Sequence, residues 1–292
     1  MRCHRRSYRR FRDGDWTLWV LPELWNATLW ERVRSCIERQ SRSKHPQVIF
    51  LEPGSGAALP LYLKVYHPAP WPGRLKELFR KSKALRALRQ GVELDAAGFN
   101  VPLAVAAGEK RKLMLLKSAF LVTVAIAGAP LTVFLSERWR PRASPEDIGE
   151  KRRAIAALAD EIRRFHRLGF VHGDLVPSNI LVAADGRAAR FYFMDNDRTG
   201  RYPSWWPLRR WRRNLVQLNR LPLAGISLQD RMRFLRSYLE KNGRWRAEER
   251  YLISWLERKT RRRRMADRAG GSASFREIMR WKAPRRGAGD SI

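Results

Sequence analysis

The sequence contains 292 residues, of which 44% are hydrophobic and 11% aromatic, and this composition can bury a core and excludes a wholly disordered chain. Its 60 Lys and Arg residues far exceed its 28 Asp and Glu residues, so the formal net charge of +32 favours anionic partners such as nucleic acid, acidic lipid headgroups or phosphorylated glycans. Two cysteines, Cys3 and Cys36, exclude a disulfide framework or a cysteine-based metal site and fit a reducing, cytoplasmic location.

Strands dominate the prediction for the first part of the chain. Runs of β-branched and aromatic residues bounded by turn residues predict three strands, with a helix near Leu29–Arg39 between the first two. The sequence Pro-Gly-Ser-Gly at 53–56 predicts a turn before the third strand, which carries a single charge, at Lys64. The predicted strands are Trp16–Leu21, Gln47–Leu51 and Leu59–Tyr66.

A long helix and further strands are predicted next. Leucine and valine recur at helical spacing between Arg74 and Ala97, with basic residues between them, which predicts a helix that ends at Gly98. Two or three more strands are predicted within Val101–Ala107 and Lys112–Ala127. The first half of the chain is therefore expected to form a mainly antiparallel sheet with one long helix.

The segment Ser118–Leu135 has no charged residue over 18 positions, which is the lower limit for a membrane-spanning helix. β-branched residues dominate its first half, and the sequence Gly-Ala-Pro at 128–130 interrupts the second half. We interpret the segment as a strand, a short linker and the start of a helix, and we expect no transmembrane span.

The second half of the chain is predicted to be mainly helical. Ser144 followed by Pro, Glu and Asp has the composition of a helix N-terminus, and this helix is expected to continue to about His166. Two short strands are predicted at Ile180–Val182 and Phe191–Met194, on either side of a turn at Asp185-Gly186. Further helices are predicted at about 208–220, 228–241 and 246–264.

The segment VHGDLVPSNIL at 171–181 carries the strongest chemical signal. It places Asp174 and Asn179 five residues apart in a loop, and Asp195 follows the apolar strand FYFM. Carboxylates and carboxamides at adjacent strand ends can converge on one point, and Mg²⁺ prefers a few oxygen ligands together with substrate phosphates. A lone Asp in a loop is usually a turn or cap residue, but the fixed spacing around Asp174 favours a chemical role.

The motif HGDLVPSN resembles the catalytic loop of the protein-kinase-like superfamily, whose pattern is His-x-Asp-x-x-x-x-Asn. Three more segments are similar to the bacterial lipopolysaccharide kinase family, which comprises the Kdo and heptose kinases of lipid A–core assembly. These segments are DNDR at 195–198, RRNLVQLNR at 212–220 and DRMRFLRSYL at 230–239. The resemblance covers roughly residues 45–245.

The resemblance implies an ATP- and Mg²⁺-dependent kinase that phosphorylates a sugar hydroxyl. Asp174 would orient or deprotonate the acceptor hydroxyl, and His172 would brace the loop. The other implied roles are phosphate neutralisation by Lys64, metal ligation by Asn179 and Asp195, and pairing with Lys64 by Glu93 or Glu77.

The resemblance also implies an α+β, two-lobed, protein-kinase-like fold. A small antiparallel β-sheet lobe with one long helix would comprise residues 10–127, and a larger, mostly helical lobe residues 128–265. Residues 266–292 would form a flexible basic tail, and ATP and Mg²⁺ would bind between the lobes. The expected acceptor is lipopolysaccharide core or a similar anionic glycolipid, reached by peripheral contact with the anionic cytoplasmic face of the bacterial inner membrane, and no specific nucleic acid is expected.

Several departures from the kinase pattern leave alternatives open. Val176 replaces the usual Lys or His, and no Gly-x-Gly-x-x-Gly loop precedes Lys64 at the expected distance. The sequence contains neither Asp-Phe-Gly nor Ala-Pro-Glu, which argues against a protein kinase. The alternatives are a pseudokinase or nucleotide-binding module, a kinase of the same fold with an aminoglycoside or another acceptor, and, from charge alone, a nucleic-acid-binding protein.

Overall fold

The computed structural model describes residues 7–40, 48–68, 80–138, 144–185, 188–203, 209–221, 225–240 and 246–269. The chain divides into two compact units. The first comprises the residues up to Gly128 together with Arg190–Gly200, and the second comprises Ala129–Ala189 and the residues from Arg201 onward. The first unit is built mainly on a sheet and the second mainly on helices, which is the α+β composition predicted from the sequence.

A six-stranded antiparallel sheet forms the centre of the first unit. Its strands are β1 (Arg9–Asp13), β2 (Trp16–Val20), β3 (Val48–Leu51), β4 (Leu61–Tyr66), β5 (Ala104–Lys112) and β6 (Leu115–Val124). Their order across the sheet is β1-β2-β5-β6-β4-β3. The sequence did not predict β1, because this arginine-rich edge strand is largely exposed and lacks apolar alternation.

Two helices cover opposite faces of this sheet. The helix α1 (Ala27–Gln40) contributes Trp30 to a core that includes Phe120 of β6. The helix α2 (Lys83–Ala96) packs against the other face, where the neighbouring Ala119 lies. Successive side chains of a strand point to opposite faces, so β6 contributes to both cores. The predicted helix near Leu29–Arg39 is therefore confirmed.

The helix α2 begins later than the sequence predicted. Ser82 is its N-cap, and the Ser82 hydroxyl accepts a hydrogen bond from the Leu85 amide at 3.3 Å. Residues 80–82 are consequently not helical, whereas the prediction started at Arg74; residues 69–79 lie outside the described residues. The C-terminal end agrees with the prediction, since Ala96 is the last helical residue.

The uncharged segment Ser118–Leu135 forms a strand, a linker and a helix, as predicted. Strand β6 ends at Val124, the short strand β7 (Ala129–Pro130) follows, and the helix α3 (Leu131–Arg138) begins at once. No helix in the described part of the chain is both long and apolar enough to cross a membrane.

After β7 and α3, the described residues of the second unit form four longer helices and two further strands. Ser144 caps the first of these helices through a reciprocal capping box with Asp147, as the sequence predicted. Residues 266–269, which the sequence analysis assigned to a flexible tail, are helical, and residues 270–292 lie outside the described residues. The elements are α4 (Pro145–Arg167), β8 (Phe170–Val171), β9 (Ile180–Asp185), α5 (Arg209–Leu218), α6 (Leu228–Tyr238) and α7 (Ala247–Ala269). Between β9 and α5, strand β10 (Ala188–Phe193) leads into the first unit, and the short strand β11 (Gly200–Arg201) follows.

Candidate active site

The HGDLVPSN segment forms a loop between β8 and β9, and its own side chains fix its backbone. His172 is only 1% exposed, and its Nδ1 atom accepts a hydrogen bond from the Asp174 amide at 3.0 Å. At the other end of the loop, Asn179 Nδ2 donates to the Asp174 carbonyl at 2.9 Å. Asp174 is therefore held from both sides by His172 and Asn179 of the motif.

The helix α5 holds the same loop from outside. Asn214 is fully buried, accepts from the His172 amide at 3.0 Å and donates to the His172 carbonyl at 2.6 Å. One turn later, Gln217 Oε1 accepts from the Leu175 amide at 3.2 Å. Because residues three positions apart share a helix face, one side of α5 binds the loop backbone at two points.

Gln217 also contacts the candidate catalytic carboxylate. Its Nε2 atom lies 3.3 Å from Asp174 Oδ1 and 3.2 Å from the Gly173 carbonyl, and it donates to both. Sequence reasoning missed Asn214 and Gln217 as site residues. The only signal was their presence in the segment RRNLVQLNR, where two amides three positions apart face one side of the predicted helix.

His166, near the C-terminal end of α4, is part of a buried polar network that includes Asn214. Its Nδ1 atom lies 2.8 Å from the Tyr238 hydroxyl and its Nε2 atom 3.1 Å from Asn214 Oδ1. Burial lowers the pKa of His166 to about 4, because the charged imidazolium would lose its hydration; the hydrogen bond to Asn214 opposes this only in part. His166 therefore stays neutral, and its hydrogen bond supports Asn214, which holds the loop.

The helix α7 secures the C-terminal end of α5. Arg264 donates to the carbonyls of Asn219 and Arg220 at 2.7 and 3.0 Å, which satisfies backbone groups beyond the end of the helix. Arg220 forms a two-point ion pair with Asp267, a buried residue of α7. These hydrogen bonds raise the pKa of Arg220, against the opposing effect of burial, and the charges of Asp267 and Asp174 add to the increase.

In the first unit, Lys64 of β4 and Asp195 form an ion pair. Asp195 follows strand β10 and adopts a left-handed backbone conformation with φ of +57°, which Asp tolerates better than most residues. The next residue, Asn196, is buried and donates to the Phe193 carbonyl at 2.8 Å. The chain direction around Asp195 is thereby fixed. Of the six predicted site residues, Lys64 and Asp195 are in contact here, and His172, Asp174 and Asn179 are in contact in the loop described above.

The partly buried Asp197 and the buried Tyr66 lie beside this ion pair. Burial raises the pKa of Asp197 and the negative charge of Asp195 raises it further, while Lys64, Arg198 and Arg86 act in the opposite direction. The pKa of Tyr66 is also raised, first by burial and then by the two carboxylates. The cationic groups near Asp197 therefore include an arginine of α2.

The ion pair that the structure shows for Glu93 lies within α2. Glu93 forms an ion pair with Arg89, one turn earlier on the same helix, at 3.1 Å. Glu77 lies outside the described residues. The Nε atom of Arg86 is buried without a hydrogen-bond partner in the described part of the chain, and α2 contacts the 3₁₀ turn Asn196–Arg198.

The predicted turn at 53–56 packs against α1. The carbonyls of Glu52 and Gly54 accept hydrogen bonds from Arg32 Nη1 at 2.9 and 3.0 Å. A side chain at Gly56 would approach the Leu29 amide to 2.6 Å. These contacts fit the prediction that the two glycines belong to a turn before β4.

A protein-family model described as the lipopolysaccharide kinase (Kdo/WaaP) family matches residues 74–238. No curated protein matches the chain. The solved structure of WaaP in complex with acyl carrier protein is 24% identical over 76% of this chain and 86% of that chain, with a TM-score of 0.55. The kinase domain of Mycobacterium tuberculosis PknI matches at 17% identity over 68% of this chain and 71% of that chain, with a TM-score of 0.36. The likeness to WaaP confirms the predicted kinase-like α+β fold.

Proposed function

Because this chain belongs to the lipopolysaccharide kinase (Kdo/WaaP) family, we propose that it transfers the γ-phosphate of ATP to a sugar hydroxyl, on a Kdo or heptose of lipopolysaccharide core. The observation that carries this proposal is the support of Asp174. Its backbone is bound by His172 and Asn179, and its carboxylate accepts a hydrogen bond from Gln217. Phosphoryl transfer depends mainly on positioning and charge stabilisation, and a carboxylate fixed in this way meets the first requirement.

In the proposed reaction, Asp174 orients the acceptor hydroxyl and accepts its proton. The hydroxyl oxygen forms a bond to the γ-phosphorus, the bond between that phosphorus and the β–γ bridging oxygen breaks, and ADP leaves. The proton passes to the Asp174 carboxylate and from there to solvent. His172 takes no part in the chemistry, since its Nδ1 atom already accepts the Asp174 amide.

The residues proposed to hold the nucleotide and metal offer oxygen donors and positive charge. Asp195 and Asn179 provide a carboxylate and a carboxamide. The hydrogen bond from Asn179 to the Asp174 carbonyl uses the amide nitrogen, so the amide oxygen is the atom able to bind a cation. This donor set fits Mg²⁺, which takes few protein ligands and completes its shell with phosphate and water. When bound, Mg²⁺ would neutralise charge that develops on the phosphate oxygens.

Positive charge near Asp195 favours the binding of an anionic ligand, such as nucleotide phosphates, to the first unit. Lys64 is proposed to neutralise nucleotide phosphates, and Arg86 adds a second cation whose field reaches Tyr66 and Asp197. Arg86 lies on the helix where the kinase pattern calls for a glutamate. We propose that it strengthens phosphate binding in a chain without a glycine-rich loop of the kinase type. Glu93, the sequence-based candidate for pairing with Lys64, stays a prediction.

A pseudokinase is the second candidate, and specific contacts favour it. Lys64 binds Asp195, and Glu93 binds Arg89. A chain in which these pairs persist with nucleotide bound would hold ATP without transferring phosphate. A third possibility keeps the chemistry and changes the acceptor to an aminoglycoside or another alcohol.

The proposed location is peripheral, at the cytoplasmic face of the inner membrane. The net charge of +32 supports attraction to an anionic leaflet and to a phosphate-bearing acceptor. The proposed two-lobe division at 10–127 and 128–265 assigns nucleotide binding to the first lobe and the acceptor loop to the second.

The decisive experiment measures Mg²⁺-dependent ATP consumption with purified lipopolysaccharide core as the acceptor. We expect turnover by the wild type and a loss of about 10³-fold in Asp174→Ala and in Asp195→Asn, since each removes a group used in the transition state. Asp160→Asn is the matched control, because Asp160 is an exposed residue of α4 paired with Arg163 at 3.3 Å.

Other outcomes separate the alternatives. ATP binding without turnover on any lipopolysaccharide, aminoglycoside or small alcohol would identify a pseudokinase. Turnover with a different acceptor would retain the mechanism and replace the substrate. Absence of ATP binding would refute the kinase proposal.

A further inference from the structure

The hairpin between β5 and β6 has an unusual turn. Lys112 pairs with Leu115 across the hairpin, so Leu113 and Met114 form a two-residue connection. Both adopt left-handed backbone conformations, with φ of +49° and +62°. Two-residue hairpin turns of this kind normally contain Asn-Gly or Asp-Gly, because larger L-residues are strained in the left-handed region. A leucine and a methionine at these positions therefore oppose the stability of the fold.

The same two side chains are exposed to solvent. Leu113 is 88% exposed and Met114 is 65% exposed. Neither side chain contributes appreciably to the core, so packing does not explain their presence. Strain and exposure at one tip indicate a role outside the folded monomer.

The turn is held rigidly by Arg111. Its Nη1 atom donates to the Met114 carbonyl at 2.9 Å, and its Nη2 atom donates to the Arg80 carbonyl at 3.0 Å. Its Nε atom binds Glu109 at 3.0 Å. The apolar tip is thus presented in a fixed position next to the segment that carries Arg80.

Exposed cations surround the tip. Lys112 and Lys117 lie on the hairpin, and Arg80 and Lys81 lie on the segment joined to it through Arg111. Two acidic residues near the hairpin have basic partners: Glu109 pairs with Arg111, and Asp15 pairs with Lys110 at 3.6 Å. The local surface is therefore apolar at its end and positive around it.

We propose that the Leu113-Met114 tip inserts into the interface of an anionic lipid bilayer while the surrounding lysines and Arg80 bind lipid phosphates. An apolar tip ringed by long basic side chains matches the layered chemistry of a membrane surface, with acyl chains below and phosphates above. Two residues reach only the interfacial layer, so the contact is reversible. This inference goes beyond the proposed kinase function, since it assigns the element that docks on lipid.

The test uses the double variant Leu113→Asn/Met114→Gly. Asn-Gly suits the left-handed turn, so we expect the melting temperature to rise by about 2–4 °C. In co-sedimentation with vesicles of phosphatidylethanolamine and phosphatidylglycerol, we expect the partition coefficient to fall about tenfold, because the inserted apolar surface is lost. Val48→Thr is the matched control, since Val48 is exposed on the edge strand β3 and should leave binding unchanged.

A second variant tests the cationic ring. Lys112→Glu/Lys117→Glu should also lose vesicle binding, and wild-type binding should fall as salt is added or when phosphatidylcholine replaces the anionic lipid. Unchanged partitioning of the Asn-Gly variant would overturn the proposal, as would equal binding to neutral and anionic vesicles. The assay contains neither ATP nor lipopolysaccharide, so its failure is distinct from failure of the kinase proposal.

Discussion

At the residue scale, Gln217 connects the proposed catalytic carboxylate to the helix that supports it. Its amide nitrogen binds Asp174 Oδ1 and the Gly173 carbonyl, and its oxygen binds the Leu175 amide. One side chain thus fixes the carboxylate and the backbone on both sides of it. Gln217 is a positioning residue in the proposed mechanism, since it acts through Asp174.

Replacing Gln217 should lower the rate of transfer without weakening nucleotide binding. We expect Gln217→Ala to lower kcat about 10²-fold with little change in the KM for ATP, because a misplaced carboxylate affects the transition state. Gln217→Glu should lower kcat further, since it removes the donor and adds a repelling charge. Arg213→Ala, an exposed position on the same helix, is the control; equal kcat values in all four proteins would contradict the assignment.

His166 makes folding sensitive to pH. Burial lowers its pKa to about 4 from an ordinary value of 6.5, so below pH 6.5 the unfolded chain binds a proton that the folded chain does not. The free energy of unfolding should therefore fall as the pH falls from about 6.5 to 4, with a loss of about 2 kcal/mol between pH 7 and pH 5 from this residue.

Urea unfolding of the wild type and His166→Gln at pH 7 and pH 5 measures this contribution. The variant should be less stable at pH 7, because the contacts with Tyr238 and Asn214 change, but its stability should depend less on pH. The same pH dependence in both proteins would show that other groups account for it.

At the element scale, the sequence predicts well those elements whose own residues carry a local signal, such as a helix cap or a motif. Ser144 and the acidic residues after it indicated where α4 begins, and the HGDLVPSN motif indicated the loop that contains Asp174. Strand β1 and the Leu113-Met114 turn were missed, because their residues carry no local signal for the structure that tertiary pairing imposes. The contacts of Asn214 and Gln217 were missed because they join residues more than 40 positions apart.

Gly169 connects α4 to the strand before the candidate catalytic loop. Its φ is +81°, and an added Cβ would approach the backbone carbonyl oxygen of Tyr202 to 2.2 Å. We expect Gly169→Ala to reduce the free energy of unfolding by about 3 kcal/mol, since both backbone strain and a clash oppose it. Thermal or urea unfolding of the purified variant measures this loss.

Gly149, which lies within α4, provides the matched control. A Cβ there would meet only the end of the Arg153 side chain, at 3.5 Å. Gly149→Ala should therefore stabilise α4 by about 0.5–1 kcal/mol. If Gly169→Ala were as well tolerated as Gly149→Ala, the tight junction at Gly169 would be refuted.

At the scale of the whole molecule, charge balance limits stability. Even if each of the 28 acidic residues paired with one base, 60 minus 28 leaves 32 cations without an acidic partner. The compact state concentrates this excess charge, and the resulting repulsion opposes folding. Ions that screen or bind the excess should therefore stabilise the protein.

Salt should raise the melting temperature. We expect an increase of about 5 °C between 20 and 300 mM NaCl, because the Debye length becomes shorter than the spacing of surface charges. Sulfate at equal ionic strength should raise it more, since it also strengthens apolar burial. A melting temperature that stays constant or falls in NaCl would show that repulsion does not limit stability.

The hydrogen bonds of Asn214 and Gln217 to the candidate catalytic loop have a consequence for synthesis on the ribosome. The candidate catalytic loop is translated about 40 residues before the helix that holds it, which at ordinary elongation rates is a delay of about 2–8 seconds. Until α5 emerges and docks, the amides of His172 and Leu175 lack their side-chain acceptors. A nascent chain that ends before Asn214 therefore cannot hold the candidate catalytic loop in place, and we expect phosphoryl transfer only late in translation.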